Sequence, residues 1–164
     1  MGRRRQIRGV GMQFHVISRL MVQDIHRRFL PREPHVIISI NTPECFGNGG
    51  KLCPADPKPN ILSDPNLKDV LYLWFSDINR PIEGAGKAIS KDDARQIVDF
   101  YLKAKADNIP HLVAHCTAGV CRSGGVAAAL CKIDTGDDEQ IFKKSIPNMF
   151  VYNTILNEYY SRTP

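Results

Sequence analysis

The sequence predicts a single α/β domain with a central, mostly parallel sheet of about four to five strands flanked by helices. Three observations support this prediction. The length of 164 residues suits one compact domain. Apolar, β-branched runs of strand length recur along the chain, and segments with a helical repeat separate them. A helix between two such strands returns the chain to the same edge of the sheet, so the strands run parallel.

The domain is predicted to span residues 12–164, and residues 1–11 to form a basic, disordered tail. The net charge of the chain is +5, and four of these charges come from arginines of the tail, namely Arg3, Arg4, Arg5 and Arg8. No aromatic residue interleaves these arginines, as a stacking surface for nucleic acid would require. A solvated arm is therefore favoured over a nucleic-acid contact.

The first predicted elements of the domain are a short strand and a helix. Residues 13–17 are typical of a strand, and Ser18 follows as the N-cap of a helix that runs to about Phe29. Pro31 and Pro34 then prevent the helix from continuing.

Three later segments are typical of buried parallel strands, namely residues 35–40, 70–75 and 111–115. Between the first two, residues 42–69 form a long loop, because prolines and glycines are too frequent there for a long regular element. Loops of this length in a compact domain are functional or partly disordered, so this one is a candidate substrate-facing segment.

The helices follow from capping and composition. Ser90, with Asp93 three residues later, predicts a helix start between the last two strands. Residues 126–131 are rich in alanine and predict a second helix. The acidic residues 137–139 predict the start of another, and residues 152–160 the last one.

Composition narrows the class of protein. Five cysteines without a repeating spacing argue against a disulfide framework, so we expect reduced thiols. No apolar run has the roughly 18 residues that a membrane helix needs, and we expect a cytoplasmic protein without membrane association, monomeric by default. The cysteines and histidines lack the spacing of a zinc site, so neither a metal nor another cofactor is predicted.

The chemical signal lies in residues 115–124, which read His-Cys-Thr-Ala-Gly-Val-Cys-Arg-Ser-Gly. This segment joins the last predicted strand to the alanine-rich helix, and ligands bind beyond the carboxyl ends of parallel strands. Five residues separate Cys116 from Arg122, which leaves a loop whose backbone amides can converge on an oxyanion at a helix start. The predicted phosphate-binding residues are Thr117, Ala118, Gly119, Val120, Cys121 and Arg122.

Cys116 is the predicted nucleophile of this loop. Convergent amide dipoles, the helix start and Arg122 favour its thiolate and lower the pKa of its thiol. The planar guanidinium of Arg122 can bind two phosphoryl oxygens side by side. The hydroxyl of Ser123 can hydrogen-bond the sulfur and ease its departure from phosphorus. His115 is predicted to order the loop rather than to transfer protons.

These residues resemble the signature of the protein tyrosine phosphatase superfamily, which is His-Cys, five further residues, Arg, and then Ser or Thr. All four fixed positions match, at His115, Cys116, Arg122 and Ser123. More loosely, most of the chain is similar to the compact dual-specificity branch, including Pro147 and Asn148 near its end. The resemblance implies the fold of that branch and hydrolysis of phosphomonoesters through a phosphocysteine.

The resemblance also implies a general acid on a separate loop, upstream of the nucleophile. Asp77 is the candidate, since it follows the strand predicted over 70–75 and its loop opens at the same edge as Cys116. The preceding Phe-Ser departs from the Trp-Pro-Asp form of the large tyrosine-specific phosphatases. Cys121 matches the second cysteine that low-molecular-weight tyrosine phosphatases carry in this loop, so it is a candidate redox partner of Cys116, or else a small side chain packed under the loop.

The sequence therefore predicts a protein phosphatase that acts on phosphotyrosine, with phosphoserine and phosphothreonine as further candidates, and whose partner is a phosphorylated protein. Three alternatives stay open: an RNA 5′-triphosphatase, a phosphoinositide phosphatase, and a phosphopeptide-binding module without catalysis. Inositide enzymes tend to place basic residues within the loop, and this loop is neutral between Cys116 and Arg122. The presence of these two residues and of Asp77 disfavours a module without catalysis.

Overall fold

The computed structural model describes residues 11–46, 49–82 and 86–162, so most of the predicted basic tail lies outside the described residues. The strands in these ranges are β1 (Gln13–Ser18), β2 (His35–Asn41), β3 (Cys45–Phe46), β4 (Leu52–Cys53), β5 (Leu67–Trp74) and β6 (His111–Cys116). The helices are α1 (Arg19–Val22), α2 (Lys91–Ala106), α3 (Arg122–Thr135), α4 (Glu139–Lys144) and α5 (Met149–Ser161).

Four of these strands form a parallel sheet in the order β1-β6-β2-β5, which confirms the predicted fold class. All seven residues of β2 are buried, because strands pair with both of its edges and side chains cover both of its faces. A run of apolar and β-branched residues is typical of such a strand. Parallel pairing brings the segments after Ser18, Asn41, Trp74 and Cys116 to one edge of the sheet.

The two faces of the sheet are covered differently. α2, α3 and α5 pack on one face and bury the larger core, which includes Ile38 and Leu112. The other face carries a smaller core around Ile37 and Val113, covered by α1 and by loop residues. The long helices thus lie on one face, and irregular chain protects the other.

The predicted helix from Ser18 to about Phe29 is wrong in its length. Ser18 does cap a helix through its hydroxyl, but α1 ends after one turn at Val22. Arg27 adopts a φ of 53°, which is incompatible with a right-handed helix. Its guanidinium pairs with Asp64 of the long loop at 3.2 Å. A contact with a distant segment therefore accompanies the turn that replaces the second half of the predicted helix.

The start of α2 is predicted correctly from its cap, whereas α5 begins at Met149, three residues before the predicted range of 152–160, because Asn148 caps it. Ser90 and Asp93 exchange hydrogen bonds at the start of α2, as a capping box does. The alanine-rich segment lies within α3, and the acidic residues 137–139 lead into α4. Among the described residues, no helix is both long enough and apolar enough to span a membrane.

Among its described residues, the long loop predicted over 42–69 contains the antiparallel pair of β3 and β4. Its last three residues belong to β5, which begins at Leu67 rather than at residue 70. Thr42 and Asp56 close the base of the loop. The Asp56 N–H donates to the Thr42 carbonyl at 2.9 Å, and the Asp56 carboxylate accepts from the Thr42 N–H at 3.0 Å. The Trp74 indole N–H donates to the Asp56 carbonyl at 2.9 Å, which ties this loop to the end of β5.

Two glycines at the start of α3 let the segment before α5 come close. A Cβ on Gly124 would lie 2.8 Å from Ser145 Oγ, and one on Gly125 would lie 2.8 Å from the Asn148 carbonyl oxygen. The Asn148 N–H donates to the Cys121 carbonyl at 2.9 Å. The N-terminus of α5 is thereby placed beside the loop that follows Cys116.

Candidate active site

The signature loop (residues 116–122) curls between the end of β6 and the start of α3. Gly119, at its centre, has a φ of 73°, a conformation that side chains rarely adopt. A Cβ there would lie 2.4 Å from the backbone carbon of Ile17 and 2.5 Å from the backbone nitrogen of Ser18. The loop therefore packs directly on the end of β1, and glycine permits both the turn and the close approach.

For Gly119→Ala we expect a loss of about 2–4 kcal/mol in the free energy of unfolding, because strain at positive φ adds to a clash with backbone atoms. Thermal and urea unfolding measure it. Gly136→Ala is the matched control, since Gly136 has a φ of 81° and no atom lies within 4 Å of the place that its Cβ would take. The control variant should lose only about 1 kcal/mol. Equal losses in the two variants would contradict the proposed packing.

Cys116 is 2% exposed and lies at the base of the signature loop. Its Sγ is 3.1 Å from Ser123 Oγ and accepts the Gly119 N–H at 3.3 Å. Burial alone raises the pKa of the Cys116 thiol. Hydrogen bonds from the Ser123 hydroxyl and from the amides of Ser123, Val120 and Gly119 outweigh burial and hold that pKa below its ordinary value. The amides and the hydroxyl of the loop therefore shift the equilibrium of Cys116 toward its thiolate.

Arg122 is 6% exposed, and its guanidinium is held by three segments. Nη1 donates to Thr42 Oγ1 and to the Phe75 carbonyl, and Nη2 donates to Thr117 Oγ1, each at 3.0 Å. A guanidinium has five N–H groups. These bonds use three of the five N–H groups, so among the described residues the Nε–H and one Nη2–H are left to bind phosphoryl oxygens.

His115 is fully buried, and its Nε2 lies 2.6 Å from Ser39 Oγ of β2. Burial lowers the pKa of His115 to about 4, and the nearby cations Arg19 and Arg122 act in the same direction. The imidazole is therefore neutral at neutral pH. A neutral ring bonded to a neighbouring strand suits the ordering role that the sequence predicts.

Asp77 is exposed and lies just beyond β5, on a loop that faces the N-terminus of α5. Asn148 Nδ2 donates to Asp77 Oδ1 at 2.7 Å and to the Ile78 carbonyl at 3.2 Å. The Asn148 side-chain oxygen caps α5 by accepting the Val151 N–H at 3.1 Å. One asparagine thus links the loop of Asp77 to α5 and, through its own N–H, to the Cys121 carbonyl.

Asp77 and Cys121 line one groove of about 610 Å³ beside the signature loop. Its other walls come from Asn79 and from the α5 side, namely Ile146, Pro147, Asn148, Met149, Phe150 and Asn153. Burial raises the pKa of the Cys121 thiol, and the negative charges of Asp77 and Cys116 raise it further. Cys121 is thus a weakly acidic thiol beside the groove, and its pairing with Cys116 stays a prediction.

The structure brings the predicted residues to one place, with differences in their contacts. Thr117 is exposed, and its hydroxyl holds Arg122, so its backbone amide is what remains for an anion. Sequence reasoning missed Thr42 as a second anchor of Arg122, and it missed the contact between Asn148 and Asp77. The proline and asparagine that precede α5 were a signal for a helix cap, but they do not indicate which loop the asparagine touches.

Comparison with known proteins gives structural matches only. No family model matches the chain, and no curated protein sequence does. Human DUSP28 superposes with a TM-score of 0.56 at 12% identity, over 90% of this chain and 92% of that one. The human tyrosine phosphatase-like serine/threonine/tyrosine-interacting protein superposes with a TM-score of 0.53 at 14% identity, over 90% of this chain and 91% of that one. DUSP15 superposes with a TM-score of 0.50 at 17% identity, over 92% and 85%.

These matches agree with an α/β architecture built on the four-stranded parallel sheet. Structural matches at such low sequence identity establish the architecture only. The chemistry has to be argued from the residues of the site. The chain has a dual-specificity phosphatase-like fold.

Proposed function

We propose that this chain is a protein phosphatase that hydrolyses phosphotyrosine, and phosphoserine or phosphothreonine as well, through a phosphocysteine. The Cys116 thiolate attacks phosphorus, and the bond from phosphorus to the substrate oxygen breaks as Asp77 protonates that oxygen. Asp77 then takes a proton from water, which attacks the phosphocysteine and releases phosphate and the thiolate. Arg122 follows the phosphoryl oxygens throughout, and Ser123 stabilises the departing sulfur.

One observation carries this proposal: a buried thiol that accepts hydrogen bonds from its own loop and has a lowered pKa. By contrast, burial and nearby carboxylates raise the pKa of Cys131, a half-buried thiol outside the signature loop. The contacts of Arg122 support the same proposal, because three neutral acceptors hold the guanidinium and leave two of its five N–H groups for a ligand.

The groove beside the loop supports a protein substrate. Its lining residues include Ile146, which is 73% exposed, and Met149, which is 46% exposed, but no lysine or arginine among the residues described. Exposed apolar side chains suit the ring of phosphotyrosine and its neighbours in a peptide. A triphosphate-ended RNA or a phosphoinositide would need further cations around the loop.

We expect the purified chain to hydrolyse an aryl phosphate at an unchanged rate in excess chelator, since the proposed reaction uses a thiolate and a guanidinium in place of a metal. Phosphate release with and without EDTA measures this. A requirement for a divalent metal would contradict the mechanism. A panel of phosphotyrosine and phosphothreonine peptides, phosphoinositides and triphosphate-ended RNA then ranks the substrate classes by kcat/KM.

A binding module without catalysis is the second candidate, because one structural neighbour is itself described as tyrosine phosphatase-like. In that case phosphopeptides would bind and stay intact. The RNA substrate is tested separately by deleting residues 1–11 and measuring RNA binding against salt. A steep salt dependence that disappears with the deletion would favour it.

A further inference from the structure

We propose that Arg19 is a positioning residue for Cys116, although it lies on another element and is absent from the phosphatase signature. The connection runs through a buried chain of hydrogen bonds whose members are Asn41, Ser39 and His115. The inference rests on the proposed function, because it assigns a residue that supports the same nucleophile.

Arg19 is the first residue of α1 and reaches three segments around the site. Its Nη1 donates to Asn41 Oδ1 at 2.7 Å, and its Nη2 donates to the Pro57 carbonyl at 2.6 Å. Its backbone N–H donates to the Thr117 carbonyl at 3.3 Å. One half-buried arginine therefore joins the end of β2, the long loop and the signature loop.

The hydrogen-bond chain beyond Arg19 is fully buried, since Asn41, Ser39 and His115 each have 0% exposure. Asn41 Nδ2 donates toward Ser39, with its Oγ at 3.2 Å and its carbonyl oxygen at 3.3 Å, and to the Leu73 carbonyl at 3.3 Å. Ser39 Oγ lies 2.6 Å from His115 Nε2. Buried hydrogen bonds polarise one another, so the orientation of each group depends on the next.

Arg19 sets the direction of this chain because a guanidinium only donates. Asn41 must present its oxygen to Arg19, and its amide nitrogen then faces Ser39. The Ser39 oxygen accepts that hydrogen bond and can donate its own hydrogen to Nε2 of neutral His115. The ring proton of His115 then lies on Nδ1, which is buried and has no hydrogen-bond partner among the described residues. His115 directly precedes the nucleophile in the sequence.

Arg19 also contributes a positive charge. The charged groups that face His115 are Arg19 from α1 and Arg122 from α3. The signature loop carries one further ionisable group, Cys121, which interacts with Asp77. Removing Arg19 therefore removes both the donor that orients the hydrogen-bond chain and one of the two cations that act on His115. Both effects disfavour the Cys116 thiolate.

The test compares Arg19→Met, which keeps length but removes every donor, with Arg19→Lys, which keeps the charge and a donor. Arg28→Met is the matched control, because Arg28 is an exposed arginine nearby that pairs with Asp24 at 2.9 Å. Alkylation of Cys116 by iodoacetamide is followed against pH by peptide mass mapping. The reagent is uncharged, so the loss of an arginine leaves its local concentration unchanged.

For Arg19→Met we expect the alkylation midpoint to rise by about half to one pH unit and kcat/KM on an aryl phosphate to fall about tenfold, mainly through kcat. Arg19→Lys should restore most of both values, and Arg28→Met should match the wild type. An unchanged midpoint in Arg19→Met would show that Arg19 only clamps the loops, and would overturn the proposal.

Two further measurements keep the proposal testable if Arg19→Met folds poorly. Ser39→Ala interrupts the same chain, and the double variant with Arg19→Lys or Arg19→Met should be no worse than Ser39→Ala alone. ¹⁵N spectra of the His115 ring should report the Nδ1–H tautomer in the wild type and a mixture in Ser39→Ala. The proposed hydrogen-bond chain would be contradicted if the losses of the single variants added up in the double variant. An Nε2–H tautomer of His115 in the wild type would also contradict it. Alkylation needs no turnover, so it remains informative even if the hydrolytic function fails its own test.

Discussion

Cys116→Ser is expected to abolish turnover, by at least about 10⁴-fold in kcat, while inorganic phosphate still binds. The serine hydroxyl is far less acidic than the Cys116 thiol and stays protonated, so the nucleophile is lost. The loop amides and the free edge of Arg122 remain, so the anion site is kept. Steady-state hydrolysis measures the first effect, and calorimetric titration with phosphate measures the second.

Cys131→Ser is the matched control, because Cys131 lies far along α3 and its thiol contacts the Asp137 carbonyl at 3.1 Å. That variant should retain wild-type kcat/KM. In the wild type, kcat/KM should fall as the pH drops through the pKa of Cys116, since the thiolate is the reactive form and the low pKa keeps it present above that point. Full activity in Cys116→Ser would end the proposed mechanism.

Asp77→Asn is expected to lower kcat by about 10²–10⁴-fold on phosphotyrosine peptides. The amide has nearly the same shape and can still contact Asn148, so substrate binding and folding should change little. What it loses is the proton for the leaving oxygen and the base for the attacking water. We expect KM to stay near its wild-type value and the basic limb of the pH profile to flatten.

Substrates whose leaving groups differ in pKa make the test of Asp77→Asn more specific. An alcohol or phenol of high pKa needs its proton most, so the deficit of Asp77→Asn should shrink on an aryl phosphate with an electron-withdrawing ring. Asp92→Asn is the matched control, since Asp92 is an exposed carboxylate paired with Arg95 at 2.6 Å at the start of α2. Equal rates for Asp77→Asn and the wild type on phosphopeptides would move the general acid to another residue.

Much of the fold can be predicted from the hydrophobic and capping patterns of the sequence alone. The buried strands β2, β5 and β6 follow from apolar runs, and the start of α2 follows from the Ser90 and Asp93 pair, because these signals are local. The extent of α1 was not accessible in this way. Its second half is replaced by a turn whose Arg27 pairs with Asp64, and a contact between residues so far apart in the chain leaves no periodic trace in the sequence.

The candidate site, too, has features that the sequence predicts and others that only the tertiary structure shows. The spacing of Cys116, Gly119 and Arg122 determines by itself that a thiol, a tight turn and a guanidinium share one loop, because seven consecutive residues have little freedom once a strand and a helix hold their ends. Only the tertiary structure decided that Thr42 anchors the guanidinium, that Asn148 holds Asp77 and that Arg19 reaches the buried histidine. Those contacts depend on which strand ends become neighbours in the sheet, and hydrogen bonds across such distances in sequence form only after the strands have paired.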